Sequence, residues 1–200
     1  MNQKKMFGTR EITTIGMLGA IATVLMLFEI PLPFAPSFYE IDFSEVPVLV
    51  GCFAMGPLAG VFIEMVKILL NFALNGTVTA GVGEVANFCL GCAFCLPAGF
   101  IYYKNKTKKG AIISLTAGTL IMTFLGCFIN AYVMLPTYAK AFEMPLDVIV
   151  EMGTKVNGNI TNLFTFVMFA VVPFNLLKGI LTSVVVLLIY KKISPIIKRH

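Results

Sequence analysis

Charged residues are scarce in this chain of 200 residues. Only 12% are Asp, Glu, Lys or Arg, whereas 58% are hydrophobic and the mean hydropathy is +0.90. A soluble globular domain carries about 25% charged residues, so too few charges remain here to cover a water-exposed surface. The composition therefore predicts an integral membrane protein, organised as a single membrane domain over residues 1–200.

Histidines and phosphate-binding motifs are also lacking. The one histidine is the terminal His200, and neither GxxxxGKS/T nor HExxH occurs. Nucleotide hydrolysis by a P-loop and zinc-dependent hydrolysis are therefore not expected, and a Ser-His-Asp set has no usable base. Cys89, Cys92 and Cys95 drift around a helix and lack a fourth ligand, so no metal is expected. We expect neither an enzyme nor a cofactor site.

Basic residues occur in three short tracts that lie beside apolar runs. The net charge of +5 is concentrated there rather than on a nucleic-acid-binding face, so no nucleic acid partner is expected. Lys and Arg mark the cytoplasmic side of a membrane. The tracts are Lys4, Lys5 and Arg10; Lys104, Lys106, Lys108 and Lys109; and Lys191, Lys192, Lys198 and Arg199.

Six apolar segments fit this charge pattern, at about 12–28, 46–55, 58–74, 84–103, 111–135 and 161–190. With six transmembrane helices, all three basic tracts and both termini lie in the cytoplasm, which five helices would not allow. We therefore expect an all-α membrane bundle with external loops at 30–44, 75–83 and 136–160. Pro136 is expected to end the fifth segment, and the sixth is long enough to kink at Pro173.

Ionisable side chains inside membrane spans are costly and therefore mark functional sites. Lys178 lies about 20 Å from the cytoplasmic edge, at 1.5 Å per residue before Lys191. Asn175 is on the same helical face, and no counter-ion for Lys178 is apparent nearby, so we interpret the two as ligand-binding residues. Glu64 and Lys67 have (i, i+3) spacing, and they either only stabilise the bundle or belong to the site.

Side-chain amides extend this candidate site towards the external loops. Asn87 is near the outer start of the fourth segment and Asn130 near the outer end of the fifth. Together with Lys178 they would form a pocket for a flat, partly polar small molecule. The loop 75–83, which includes Thr79, is expected to close over it because its glycines permit large backbone changes.

Small residues form two ridges on the first apolar segment. Gly16 and Ala20 make one, and Gly19 and Thr23 make the other. Such small-xxx-small ridges let another helix approach closely. The partner helix could belong to another protein or to this bundle, and both alternatives are open.

Five sequence blocks stand out when segments and loops are taken together. They are IDFSEVP at 41–47, GPLAG at 56–60 followed by Ile63, Glu64 and Lys67, GEVANF at 83–88, NAYVMLPTY at 130–138 and PFNLLKG at 173–179. With these blocks the chain resembles, over nearly its whole length, the riboflavin-binding S components of energy-coupling factor (ECF) transporters. The six-helix layout is shared by S components for many vitamins, so an S component for another vitamin is an alternative.

The resemblance implies a non-catalytic subunit of the cell membrane, expected to be a bacterial plasma membrane, that captures riboflavin from outside as a transported substrate without any cofactor. Gly16 and Ala20, in place of an Ala-xxx-Ala pair, would dock a transmembrane coupling subunit, beneath which lie two ATPase subunits. Gly19 and Thr23 are expected to belong to the same docking surface. The residues matching Asn130, Asn175 and Lys178 would contact the polar edges of the flavin. The complete set of expected substrate-binding residues is Asn130, Asn175, Lys178, Asn87, Tyr39, Ile41, Glu64, Lys67 and Thr79.

A self-sufficient secondary transporter, coupled to protons or sodium through Glu64 and Lys67, is the other alternative. Most secondary transporters contain two related halves. No internal repeat is found in this sequence, which favours the S-component interpretation.

Overall fold

The computed structural model describes residues 7–32 and 39–198, with side chains described as far as residue 192. Of the residues used above, Lys4, Lys5, Arg199 and His200 lie outside this part of the chain. In the described part of residues 7–129 there are five helices, α1 (Thr9–Met26), α2 (Glu45–Met55), α3 (Pro57–Asn75), α4 (Val82–Lys104) and α5 (Lys108–Ile129). The predicted helical architecture is present, although its boundaries differ in the second half.

The second half contains two π-helical segments inside long helices. The first segment, Asn130–Met134, joins α5 to α6 (Leu135–Ala141); α7 (Leu146–Val156) follows. The second, Val167–Val171, joins α8 (Leu163–Phe166) to α9 (Val172–Lys198). π-Helical turns inside α-helices frequently occur at functional sites.

Two predictions about this half were wrong in detail. The fifth segment does not end at Pro136, because the helix continues through it to Ala141. Proline is tolerated there because it lies at the start of a new α-helical stretch, where its missing N–H has no helical partner to lose. The segment 136–160 was predicted only as an external loop, but it contains α7.

Four helical stretches of the described residues are long and apolar enough to cross a membrane. They are Pro57–Asn75, Val82–Lys104, Lys108–Ala141 and Leu163–Lys192. α1 has 18 residues and falls outside this set, and α2 has only 11. A multi-pass membrane bundle is therefore supported, while the count of six spans and the cytoplasmic position of both termini stay predictions.

The short helix α2 lies at the centre of the bundle. It packs against α1, α3, α4 and α9, and nearly all of its residues are buried, including Val48, Leu49 and Phe53. Gly56 joins it to α3 with a φ of 108°, a conformation that only glycine adopts readily. Because lipid is as apolar as leucine, close packing and polar contacts hold such helices together.

The first loop contains a short antiparallel ribbon instead of wholly irregular chain. β1 (Ile30–Pro31) pairs with β2 (Glu40–Ile41), so that Ile30 faces Ile41 and Pro31 faces Glu40. The ribbon leads directly into α2 through Asp42. It therefore places the side chains of residues 39–45 against the end of the helical bundle.

Candidate substrate-binding site

Tyr39 connects the first loop to the end of α5. Its hydroxyl donates to Oδ1 of Asn130 at 2.9 Å, and its ring centroid lies 4.9 Å from that of Phe174 and 6.3 Å from that of Phe166. Burial raises the pKa of the Tyr39 phenol well above its ordinary value. The phenol therefore stays protonated and remains a hydrogen-bond donor at physiological pH.

Asn130 and Asn175 are brought together at the two π-helical segments. The Nδ2 of each side chain donates to the carbonyl four residues earlier on its own helix, Gly126 O for Asn130 and Val171 O for Asn175, both at 2.9 Å. A Cβ added at Gly126 would lie 3.0 Å from Nδ2 of Asn175, so the missing side chain makes room for this amide. The two predicted amides therefore both lie close to Gly126, Asn130 through its carbonyl and Asn175 beside its Cα.

Lys178 has a counter-ion, contrary to the interpretation from sequence. Its Nζ donates to Oδ2 of Asp42 at 2.9 Å, and the side chains are 13% and 6% exposed, respectively. Oδ1 of Asp42 accepts from the backbone N–H of Ser44 at 2.7 Å. Burial alone would raise the pKa of the Asp42 carboxyl, but the ammonium groups of Lys178 and Lys67 outweigh it and hold this pKa well below its usual range.

Glu64 and Lys67 form the predicted pair, and Glu45 joins them. Nζ of Lys67 lies 2.7 Å from Oε1 of Glu64 and 2.7 Å from Oε1 of Glu45, and it contacts Oγ of Ser44 at 3.4 Å. The Glu64 and Lys67 side chains are 0% exposed. In this conformation the pair therefore supports the start of α2, which favours the structural alternative over direct substrate contact.

The remaining predicted residues lie around this polar group without a recorded contact to it. Ile41 is buried in the ribbon, and Asn87 is half-buried near the start of α4. Thr79 is buried, and its Oγ1 accepts from the backbone N–H of Gly83 at 2.8 Å. The Thr79 hydroxyl therefore shapes its own loop in this conformation.

An apolar groove lies between the start of α4 and the end of α5. Its volume is about 440 Å³, and its lining is Ala80, Gly81, Val82, Val85, Ala86, Cys89, Ile129 and Val133. Ile129 directly precedes Asn130, so the groove adjoins the polar group along α5. None of the predicted binding residues is in its lining, which makes it an apolar neighbour of the polar site.

The small residues of α1 divide between two faces. Gly16 and Ala20 are exposed, and a Cβ added at Gly16 would meet nothing within 4 Å. Gly19 and Thr23 are buried, because Gly19 lies against Val66 and the Thr23 hydroxyl donates to the carbonyl of Lys67 at 3.3 Å. Gly19 and Thr23, which were expected at the docking surface, instead pack inside the bundle, so of the two ridges the Gly16/Ala20 ridge is the exposed one.

Asp42 and Glu45 are the residues of this region that sequence reasoning missed as site components. Both residues belong to the block IDFSEVP at 41–47, and it is their burial beside Lys178 and Lys67 that makes them part of the site. Among the described residues, no group of three or more His, Cys, Asp or Glu side chains could hold a metal ion. The site is therefore built from amides, a phenol and ion pairs.

An apolar helical bundle with a polar group enclosed at one end has the structure of a membrane-embedded binding component. The family model described as "ECF transporter, substrate-specific component" matches residues 10–190, so this chain belongs to that family. The resemblance stated from the sequence blocks is confirmed. The family is one of transporter subunits, and the interpretation as a non-catalytic component is confirmed with it.

Relatives of known function are similar over the whole chain. The riboflavin transporter FmnP of Bacillus subtilis (strain 168) is 36% identical over 96% of this chain and 95% of that protein. The riboflavin transporter RibU of Staphylococcus aureus (strain TCH60) is 35% identical over 95% of this chain and 93% of that protein. A solved structure, described as the S component of a bacterial ECF transporter, is 34% identical with a TM-score of 0.73, covering 95% of this chain and 98% of that one.

Proposed function

We propose that this chain captures riboflavin on the outside of a bacterial plasma membrane and delivers it for ATP-driven uptake. The observation that carries the proposal is the enclosed polar group at the loop end of the bundle, formed by Asn130, Asn175 and Lys178. Full-length relatives named riboflavin transporters support the choice of ligand. In this proposal the chain is one membrane domain with six spans and cytoplasmic termini.

The chemistry of these three side chains suits a flavin. Riboflavin has an apolar dimethylbenzene edge and a pyrimidine-like edge rich in donors and acceptors. An Asn amide offers two N–H donors and a carbonyl acceptor, and a Lys ammonium offers three donors. Since Asn175 uses one N–H for its own helix, its second N–H and its carbonyl could serve a ligand. An analogue lacking the matching groups would leave buried polar atoms unpaired.

Partners of the chain are proposed from the exposed ridge on α1. Gly16 and Ala20 would receive a helix of a transmembrane coupling subunit, to which two ATPase subunits are attached. The ridge is flanked by exposed apolar side chains such as Met17 and Ile21. A smooth apolar surface with a small-residue groove is what a close helix contact in a membrane requires.

The test is a titration of flavin fluorescence with the purified, detergent-solubilised chain. Saturable quenching at about 1:1, competed by excess riboflavin but not by thiamine or biotin, is the expected result. Asn175→Ala or Lys178→Ala should weaken binding by at least about 1 kcal/mol, because each removes a polar group from the ligand's edge. No quenching by a folded preparation would refute riboflavin as the ligand, and unchanged affinity in both variants would remove these residues from the site.

Uptake measurements separate this proposal from ion-coupled transport through Glu64 and Lys67. For an S component, uptake by cells should be lost without the ATPase subunits and should survive an uncoupler while ATP is present. Uptake that survives loss of the ATPases but stops with the uncoupler would instead support a secondary transporter.

A further inference from the structure

Carboxylates outnumber ammonium groups around Lys178. Asp42 lies 2.9 Å from its Nζ, and Glu45 acts on it electrostatically from the start of α2. Glu29 precedes β1 and Glu40 lies in β2, so the paired strands bring these two side chains together beside Asp42. The only ammonium group acting on Glu29 among its recorded neighbours is that of Lys178.

Glu29 and Glu40 are hydrogen-bonded to each other, so one of them must carry a proton for the bond to form. Glu29 is exposed, but partial desolvation by the surrounding chain, the hydrogen bond to Glu40 and repulsion from Glu40 and Asp42 raise its pKa to about 7. Tyr138 on α6 and Lys178 on α9 are the other titratable groups that face this carboxyl. Above neutral pH the carboxylates of Glu29, Glu40 and Asp42 therefore exceed the ammonium group of Lys178. The second ammonium group that acts on Asp42, that of Lys67, is itself paired with Glu45 and Glu64.

Such a surplus of negative charge affects ligands at the mouth of the site. Lys residues often anchor phosphate groups, but Lys178 is already neutralised by Asp42. Charges act over about 8 Å at physiological salt, and further where low-dielectric walls focus the field. A phosphate monoester carries about −1.5 to −2 at neutral pH, whereas riboflavin itself is uncharged.

We propose that the acidic ribbon, defined as Glu29, Glu40 and Asp42, repels phosphorylated flavins and makes the site selective for the uncharged vitamin. This inference rests on the proposed function, since it concerns the selectivity of the same site. Glu29 and Glu40 act at a distance here, as selectivity residues that do not touch the ligand.

The test compares riboflavin and its 5′-phosphate by fluorescence titration at about pH 8, with three forms of the full chain. They are the wild type, the double variant Glu29→Gln/Glu40→Gln, and the control Glu143→Gln/Glu151→Gln, which removes the same number of charges from exposed positions on the 142–156 segment. The ribbon variant should bind the phosphate ester about tenfold more tightly than the wild type at low salt. Its riboflavin affinity, and both affinities of the control, should stay unchanged.

Ionic strength gives a second measurement on the wild type. Raising the salt from about 10 mM to about 150 mM shortens the Debye length from about 30 to about 8 Å, so affinity for the phosphate ester should rise while riboflavin affinity stays constant. An unchanged ester affinity in the ribbon variant, or an equal gain in the control, would overturn the acidic ribbon as a filter while riboflavin binding persists. Loss of riboflavin binding in the wild type itself would overturn the proposed function, and the filter with it.

Discussion

The ion pair between Asp42 and Lys178 can be tested with a double-mutant cycle. Lys178→Met keeps the length of the side chain but leaves the Asp42 carboxylate, which is 6% exposed, without its partner. Breaking a fully buried pair costs about 3–5 kcal/mol, and exposed pairs contribute about 0–1 kcal/mol. Because Lys178 is 13% exposed, we expect a loss of about 2–3 kcal/mol.

The two other members of the cycle should cost less. Asp42→Asn removes the carboxylate charge, but Glu45 remains to compensate Lys178, so we expect about 1–2 kcal/mol. The double variant leaves neither charge unpaired and should lose less than about 1 kcal/mol, because replacing both members of a buried pair is often nearly neutral. Thermal unfolding in detergent, followed by circular dichroism, should show a fall of about 5–10 °C for Lys178→Met and a clear recovery in the double variant.

Riboflavin affinity, measured on the same variants, separates the structural role of Lys178 from its ligand contact. Both variants that lack Lys178 should lose at least about 1 kcal/mol of binding, a factor of about 5, because the donor to the ligand is gone in each. If the stability losses of the two single variants simply add in the double variant, the ion pair between Asp42 and Lys178 is refuted. Binding that recovers together with stability in the double variant would refute the ligand contact and leave Lys178 with a structural role only.

Three further predictions concern the amides, the exposed ridge and the acidic ribbon. Gly126→Ala should weaken riboflavin binding several-fold by displacing Asn175, whereas Gly158→Ala, where an added Cβ meets nothing within 4 Å, should not; equal affinities in a titration would contradict this. Gly16→Leu should leave riboflavin binding intact but abolish co-purification with the coupling subunit, so a retained complex would exclude the ridge as its docking site. Glu29 has a pKa raised from 4.5 to about 7, so the stability it contributes is complete below pH 4.5 and is lost as the pH rises through 7. The melting temperature should fall over this range, and Glu29→Gln should flatten the fall; an identical pH profile in the variant would refute the shift.

Most helix positions were predictable from the apolar segments, because a helix that crosses a membrane needs a long apolar run and basic tracts mark its cytoplasmic end. The separation of the predicted segments 46–55 and 58–74 is present as the junction of α2 and α3 at Gly56 and Pro57. The π-helical segments were not predictable, since a single extra residue in a helix leaves the apolar pattern almost unchanged. The prediction that Pro136 ends a helix was wrong for a related reason. A proline that ends a helix and a proline that starts a new α-helical stretch look alike in sequence.

Local polar pairs in the site were predictable, whereas distant ones were not. Glu64 and Lys67 are three residues apart, so their pairing follows from helix geometry. Asp42 and Lys178 are 136 residues apart, and their contact depends on how the ribbon meets α9. No periodicity encodes such a contact, so the sequence alone does not reveal the counter-ion of Lys178.

Residues 39–45, which run from just before β2 to the first residue of α2, are held by polar bonds to three different helical stretches. Tyr39 reaches Asn130 at the end of α5, Asp42 reaches Lys178 on α9, and Glu45 reaches Lys67 on α3. Two of these bonds use the same side chains that the proposed function assigns to the ligand. A ligand that takes over Asn130 and Lys178 must therefore replace bonds to the loop, so its affinity is a difference between two sets of contacts. The bond between Glu45 and Lys67 is enclosed and unavailable to a ligand. It would therefore keep the start of α2 in place while residues 39–42 exchange their partners.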